Sequence, residues 1–105
     1  MDDCRRGPDG VVELEGRLDV HTVAHVRHVL HEIVEHGAGD VVVDLGKVEV
    51  LDASGLGVLV GASRKAQSVG RRVVLRDVPA RLAPVFTATR LHRILPLERR
   101  DALAV

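Results

Sequence analysis

The stretch Val41-Val42-Val43-Asp44-Leu45-Gly46-Lys47-Val48-Glu49-Val50-Leu51-Asp52-Ala53-Ser54-Gly55-Leu56-Gly57-Val58-Leu59 decides the fold. Its first five residues form a nearly continuous apolar run, as a strand buried on both faces requires. After Gly46 and Lys47 a second apolar run, Val48 to Leu51, leads into Asp52-Ala53-Ser54. There the period changes. Leu56, Leu59, Val60, Ala62 and Ala66 recur at helical spacing, and Gly70 closes the segment. A buried strand running straight into a helix points to a parallel sheet with helices packed on it.

The flanks repeat this alternation. Upstream, Val12, Leu14 and Leu18 share a parity, interrupted at Gly16, while Glu13, Glu15 and Arg17 alternate with them. That pattern predicts a strand with one wet face. Asp19 and Thr22 offer N-caps to a helix running to about His36. Its Val23, Val26, Leu30, Ile33 and Val34 share a face, and Gly37 and Gly39 end it. Downstream, Val73-Val74-Leu75 predicts another buried strand, and Val78-Pro79 an extended step. A helix carrying Leu82, Val85 and Phe86 follows, with Pro84 limiting how early it begins. Ile94-Leu95-Pro96-Leu97 predicts a last short edge strand, and residues 98–105 a helical stub. The expected architecture is α/β, a mixed, mostly parallel sheet of four or five strands with three or four helices packed against it. Residues 1–105 are expected to form one domain, with 1–10 a flexible or edge-strand arm and the core spanning about 11–97.

Composition narrows the function. A chain of 105 residues supports one small domain, and 46% apolar residues suffice for a core. Phe86 is the only aromatic residue, so the core is aliphatic and no base-stacking platform exists. Lys plus Arg and Asp plus Glu number 15 each. That balance argues against a cationic nucleic-acid binder. The zero conceals an asymmetry: residues 1–63 hold 5 basic and 12 acidic side chains, net −7, and residues 64–105 hold 10 and 3, net +7. A domain this size has a radius of gyration of roughly 13 Å, so the two halves must neutralise each other in space. Cys4 is the sole cysteine and has no internal disulfide partner. The N-terminal residues lack a secretory apolar region, and the longest uncharged stretch, residues 53–63, falls short of the ~20 residues of a spanning helix. The expected location is the cytoplasm, without membrane insertion.

The chemical oddity is Asp52-Ala53-Ser54-Gly55-Leu56-Gly57 at a helix start. Gly55, Gly57 and Gly61 each cost a helix about 1 kcal/mol relative to Ala. Gly57 and Gly61 stack at i, i+4, which suggests close packing of the helix on the sheet, whereas Gly55 suggests a partner approaching the backbone. Ser54 reads first as an N-cap, but Asp52 is a rival cap, so one of them is redundant. A nucleophile elbow would need glycines at both flanking i±2 positions, and Asp52 occupies one. No base adjoins Ser54 in sequence, and His92 would approach only through the fold. A dinucleotide loop would need a third glycine where Val60 stands, and the phosphate-loop lysine is missing. His21, His25 and His28 can share a helix face, but beside Glu32 that face reads as solvated rather than metal-binding. No metal or cofactor is expected.

These residues resemble a known family. The segment Val41 to Leu59 is similar to the signature of STAS domains, above all to bacterial anti-sigma factor antagonists. Gly16-Arg17-Leu18-Asp19 with Thr22 resembles the segment before that family's first helix, and Gly70, Val73 to Leu75, Pro79 and Thr89-Arg90-Leu91 fall where the family continues. Ala53 stands where many members carry a second serine, Arg90 where a glycine is common, and the C-terminal helix is short. The resemblance implies a non-enzymatic interaction switch. Its Ser54 would be phosphorylated by a partner that is both anti-sigma factor and ATP-dependent serine kinase. The unmodified form would bind that partner and free a sigma factor, and a serine phosphatase would reset it. Asp19, Asp52, Ala53, Ser54, Gly55, Leu56 and Gly57 would make the partner surface of a monomer or weak dimer. The alternative within the fold is an adaptor subunit of a membrane-associated lipid or anion transport complex, without a phospho-switch. A small hydrolase using Ser54 is the third reading.

Overall fold

The computed structural model describes residues 4–6, 11–93, 95 and 97–98. In chain order these form β1 (Cys4–Arg6), β2 (Val12–Leu18), α1 (Val23–Glu35), β3 (Asp40–Leu51), α2 (Ala53–Ser68), β4 (Arg72–Arg76), α3 (Ala83–Ala88), a 3-10 turn (Leu91–Arg93) and β5 (Leu97–Glu98). The sheet order is β1-β2-β3-β4-β5. β1 runs antiparallel to β2 and the other pairs are parallel. The sheet is thus mixed and mostly parallel, with three α-helices among the described residues, and the α/β expectation stands.

Register explains why the pattern is decisive. Val12, Val43, Leu75 and Leu97 are partners in one row across four strands, and Glu13, Asp44, Arg76 and Glu98 in the next. Successive residues of a strand face opposite sides, so the row holding Val12, Val43 and Leu75 faces the core. Val12, Val43 and Leu75 are indeed fully buried, in one cluster with Val26, Leu30 and Val34 of α1, Leu59 and Ala62 of α2, and Phe86 of α3. The radius of gyration is 12.6 Å.

The two oppositely charged halves meet as expected. Lys65 reaches Glu35 at 2.8 Å, and Arg72 reaches Asp40 at 3.0 Å. The Lys65 ammonium, by hydrogen bond and then by charge, holds the Glu35 carboxyl below the usual carboxylate range. Such exposed pairs are screened by solvent. They compensate charge more than they hold the fold.

Two local features depart from the sequence reading. The apolar runs on either side of Gly46-Lys47 form one 12-residue strand. Among the described residues the last strand comprises Leu97–Glu98, and Leu95, expected in it, lies outside because its amide turns back to the Leu91 carbonyl at 2.7 Å. The expected stub beyond Glu98 and the arm outside Cys4–Arg6 lie outside the described residues. Arg90 sits at φ +61°, the left-handed conformation that glycine adopts most readily. A further feature had no sequence signal. Arg71, just before β4, donates from Nη1 to the carbonyls of Ile33 (2.8 Å) and Val34 (2.9 Å), from Nε to Gly39 (2.9 Å) and from Nη2 to Ala38 (3.3 Å). One guanidinium thereby serves two carbonyls of the last turn of α1 and two of the loop that follows, where a cation also suits the helix dipole.

Candidate functional site

The candidate site is the turn where β3 becomes α2. Asp52 has extended backbone and is the N-cap, its side chain accepting from the Gly55 amide at 3.0 Å. Its own amide donates to the Leu18 carbonyl at 3.3 Å, and its carbonyl takes the Leu56 amide at 3.0 Å. Asp52 therefore wins the rivalry for the cap. Ser54 is the second residue of the helix, exposed, and its hydroxyl has no hydrogen-bond partner among the described residues. The capping role that local sequence favours for Ser54 is corrected: the hydroxyl is free.

The glycines also exchange roles. A Cβ on Gly55 would collide with the Leu18 carbonyl oxygen and lie 2.8 Å from Leu51 Cδ1 and 2.9 Å from Leu18 Cγ. Close packing thus explains Gly55, which the sequence reading left open to a partner. A Cβ on Gly57 or Gly61 would meet nothing within 4 Å, so the packing expected of those two does not exist. Gly57 lies exposed one turn beyond Ser54, while Leu56 is half-buried against the core.

Asp19 lies in the neighbouring turn and is only 4% exposed. One carboxylate oxygen accepts from the His21 amide at 3.0 Å, and the other from Arg17 Nε at 2.9 Å. The Asp19 amide donates to Thr22 Oγ1 at 3.1 Å, and that hydroxyl donates to the Arg17 carbonyl at 2.9 Å. The Asp19 carbonyl receives the amides of Thr22 and Val23, both at 3.0 Å, as α1 begins. The His21 amide, helped by Arg17 against the effect of burial, holds the Asp19 carboxyl below its ordinary value. Asp19 thus ties the turn together instead of presenting a free acid. What the turn presents is Val20, 65% exposed, which the sequence reading passed over. Its only signal was an apolar residue outside both the strand and helix periodicities. Leu18 joins the two turns, because its carbonyl binds Asp52 and bounds Gly55. The result is a surface of Ala53, Ser54 and Gly57 beside a turn carrying Val20.

Elsewhere, no group of three His, Cys, Asp or Glu able to hold a metal ion occurs among the described residues, so His21, His25 and His28 do not form one. The side chain of His92 lies outside the described residues.

The family described as "Mlab, STAS domain" matches residues 3–97. A Staphylococcus epidermidis protein named anti-sigma-B factor antagonist is 31% identical over 84 residues, covering 80% of this chain and 78% of that protein. An anti-sigma factor antagonist from Mycobacterium paratuberculosis superposes with a TM-score of 0.71 at 28% identity, over 90% of this chain and 81% of that one. The Bacillus cell fate determinant SpoIIAA in its phosphorylated form shares the fold, with a TM-score of 0.67 at 24% identity over 90% and 85% of the two chains. The chain belongs to the STAS domain family. No helix among the described residues is long and apolar enough to cross a membrane.

Proposed function

We propose that this chain is an anti-sigma factor antagonist, and that its interaction with the anti-sigma factor is switched by phosphorylation of Ser54. One observation carries the reading: Asp52 performs the capping, which leaves the Ser54 hydroxyl exposed and unbonded at the start of α2. The named Staphylococcus relative supports the class of partner.

The unmodified chain binds an anti-sigma factor that is also a serine kinase, through Ala53, Ser54, Gly57 and the adjoining Asp19 turn. The kinase transfers the γ-phosphoryl of ATP to Ser54 Oγ. The Oγ–phosphorus bond forms, the hydroxyl proton goes to a base or water on the kinase side, and ADP leaves. The product carries about −1.5 to −2 added charges at neutral pH. A helix N-terminus tolerates that charge within the domain. At the interface it is unfavourable. Asp52 is adjacent, and the first cations along the helix, Arg64 and Lys65, lie about 15 Å away at ~1.5 Å per residue. That exceeds the Debye length of about 8 Å at physiological salt. Arg17 is already engaged by Asp19. Burying a dianion without a paired cation is expensive, so the complex separates while the fold persists. A serine phosphatase resets the switch. The chain contributes no catalysis of its own and works in the cytoplasm.

Incubation with the cognate kinase and ATP is expected to add one phosphate, lost in Ser54→Ala. Ser54→Asp is expected to keep the native circular dichroism spectrum and lose partner binding. Wild-type affinity in Ser54→Asp would refute the charge mechanism.

A further inference from the structure

We infer that Arg81 is a positioning residue for the Ser54 turn; this rests on the reading of Ser54 given above. β3 is supported by β4 only as far as Asp44, whose partner is Arg76. Beyond that point it keeps β2 alone, and against β2 it twice carries an extra residue. Glu13 pairs with Asp44 but Glu15 with Lys47, and Gly16 pairs with Val48 but Arg17 with Val50. Each extra residue is a bulge that bends the strand and leaves backbone groups out of the ladder. At the first, the Asp44 carboxylate takes the Gly46 amide at 2.7 Å. At the second, around Glu49, Arg81 Nη2 donates to the carbonyls of Val48 at 2.8 Å and Glu49 at 3.3 Å. Successive carbonyls of a regular strand point to opposite sides, so one nitrogen reaches both only where the backbone is kinked. The guanidinium holds that kink.

The kink lies three residues before Asp52. There Leu51 pairs with Leu18, the Asp52 amide reaches the Leu18 carbonyl, and Gly55 packs on Leu18 with no room for a methyl group. The direction in which β3 leaves the second bulge therefore sets whether Asp52 can cap α2 and hold Ser54 outward. Arg81 is itself mounted on a fixed turn, since the amides of Leu82 (2.8 Å) and Ala83 (3.1 Å) both bond the Pro79 carbonyl and Leu82 is buried. Both bonds leave Nη2, and a lysine keeps the charge but carries its nitrogen one bond nearer the backbone, so it replaces arginine here only in part.

The test is amide hydrogen exchange of the full chain as wild type, Arg81→Ala and Arg81→Lys. In Arg81→Ala the amides of Asp52, Gly55 and Leu56 are expected to exchange about tenfold faster, as local opening of the turn becomes easier, while those of α1 and β4 keep wild-type rates. Arg81→Lys is expected to fall between. Unchanged exchange at the turn, or an equal rise throughout the chain, would overturn the inference, and if Arg81→Ala does not fold, Arg81→Lys is read by the same criterion. Phosphorylation kinetics form the second arm, with the kinase that modifies wild-type Ser54: kcat is expected to fall in Arg81→Ala and to recover partly in Arg81→Lys. If no kinase modifies wild-type Ser54, the functional reading fails, while the exchange data still judge Arg81.

Discussion

Adding one methyl group at Gly55 and at Gly57 is expected to have opposite effects on stability. At Gly55 the new carbon meets the Leu18 carbonyl and lies within 3 Å of Leu51 Cδ1 and Leu18 Cγ. The carbonyl cannot yield freely, because it also accepts the Asp52 amide that anchors the start of α2. Forcing an extra carbon into a packed site costs about 1–3 kcal/mol. The gain in helix propensity from Gly to Ala, about 1 kcal/mol, offsets part of it. Contact with backbone places Gly55→Ala near the upper end, at a net loss of about 2 kcal/mol. Gly57→Ala meets nothing within 4 Å. It retains the whole propensity gain of about 1 kcal/mol. In a domain of this size that corresponds to a rise in Tm of about 4–8 °C. Urea and thermal unfolding of the two variants measure the split. A Gly55→Ala protein as stable as wild type, or a destabilised Gly57→Ala protein, would refute the reasoning. If Gly57 lies on the surface proposed for the anti-sigma factor, Gly57→Ala also weakens that binding while stabilising the free chain.

Other expectations follow from the same geometry. Arg71→Ala removes the guanidinium that serves two carbonyls in the last turn of α1 and two in the following loop and should cost about 2 kcal/mol in urea unfolding, with lysine a poor substitute. Asp52→Ala should lose about 1 kcal/mol as a missing N-cap, whereas Ser54→Ala should leave unfolding nearly unchanged. Asp19 and Glu35 both have lowered native values. In acid the unfolded chain therefore takes up protons before the native one does. Their stabilisation is present above the ordinary carboxylate range and declines as pH falls through it toward the native values. Arg17→Ala should narrow the Asp19 part of that decline in a pH series of urea midpoints.

The alternation of periods was legible because it reflects burial, which acts on each element separately. Val12 to Leu18, the stripe on α1 and Val73 to Leu75 show it plainly. Asp52-Ala53-Ser54-Gly55 was legible as an anomaly, since two caps and a glycine together exceed what a helix start needs. The assignments within it were not. Whether Asp52 or Ser54 caps depends on the direction from which β3 arrives, and which glycine is crowded depends on where Leu18 passes. Asp19 read as an N-cap candidate and as part of a partner surface, since the bonds from the Arg17 side chain and the His21 amide that use up its carboxylate arise only when the turn closes.

Chain order and apolar spacing by themselves determined an α/β domain with a mostly parallel sheet, one serine at a helix start, and opposite charges in the two halves. Tertiary structure decided which groups are free and which are used. Arg71 lies more than 30 residues from the carbonyls it serves, as does Arg81 from Val48 and Glu49. Local sequence carries no trace of such contacts, because burial sets a residue's periodicity whereas a long-range hydrogen bond is set by where two distant backbones cross.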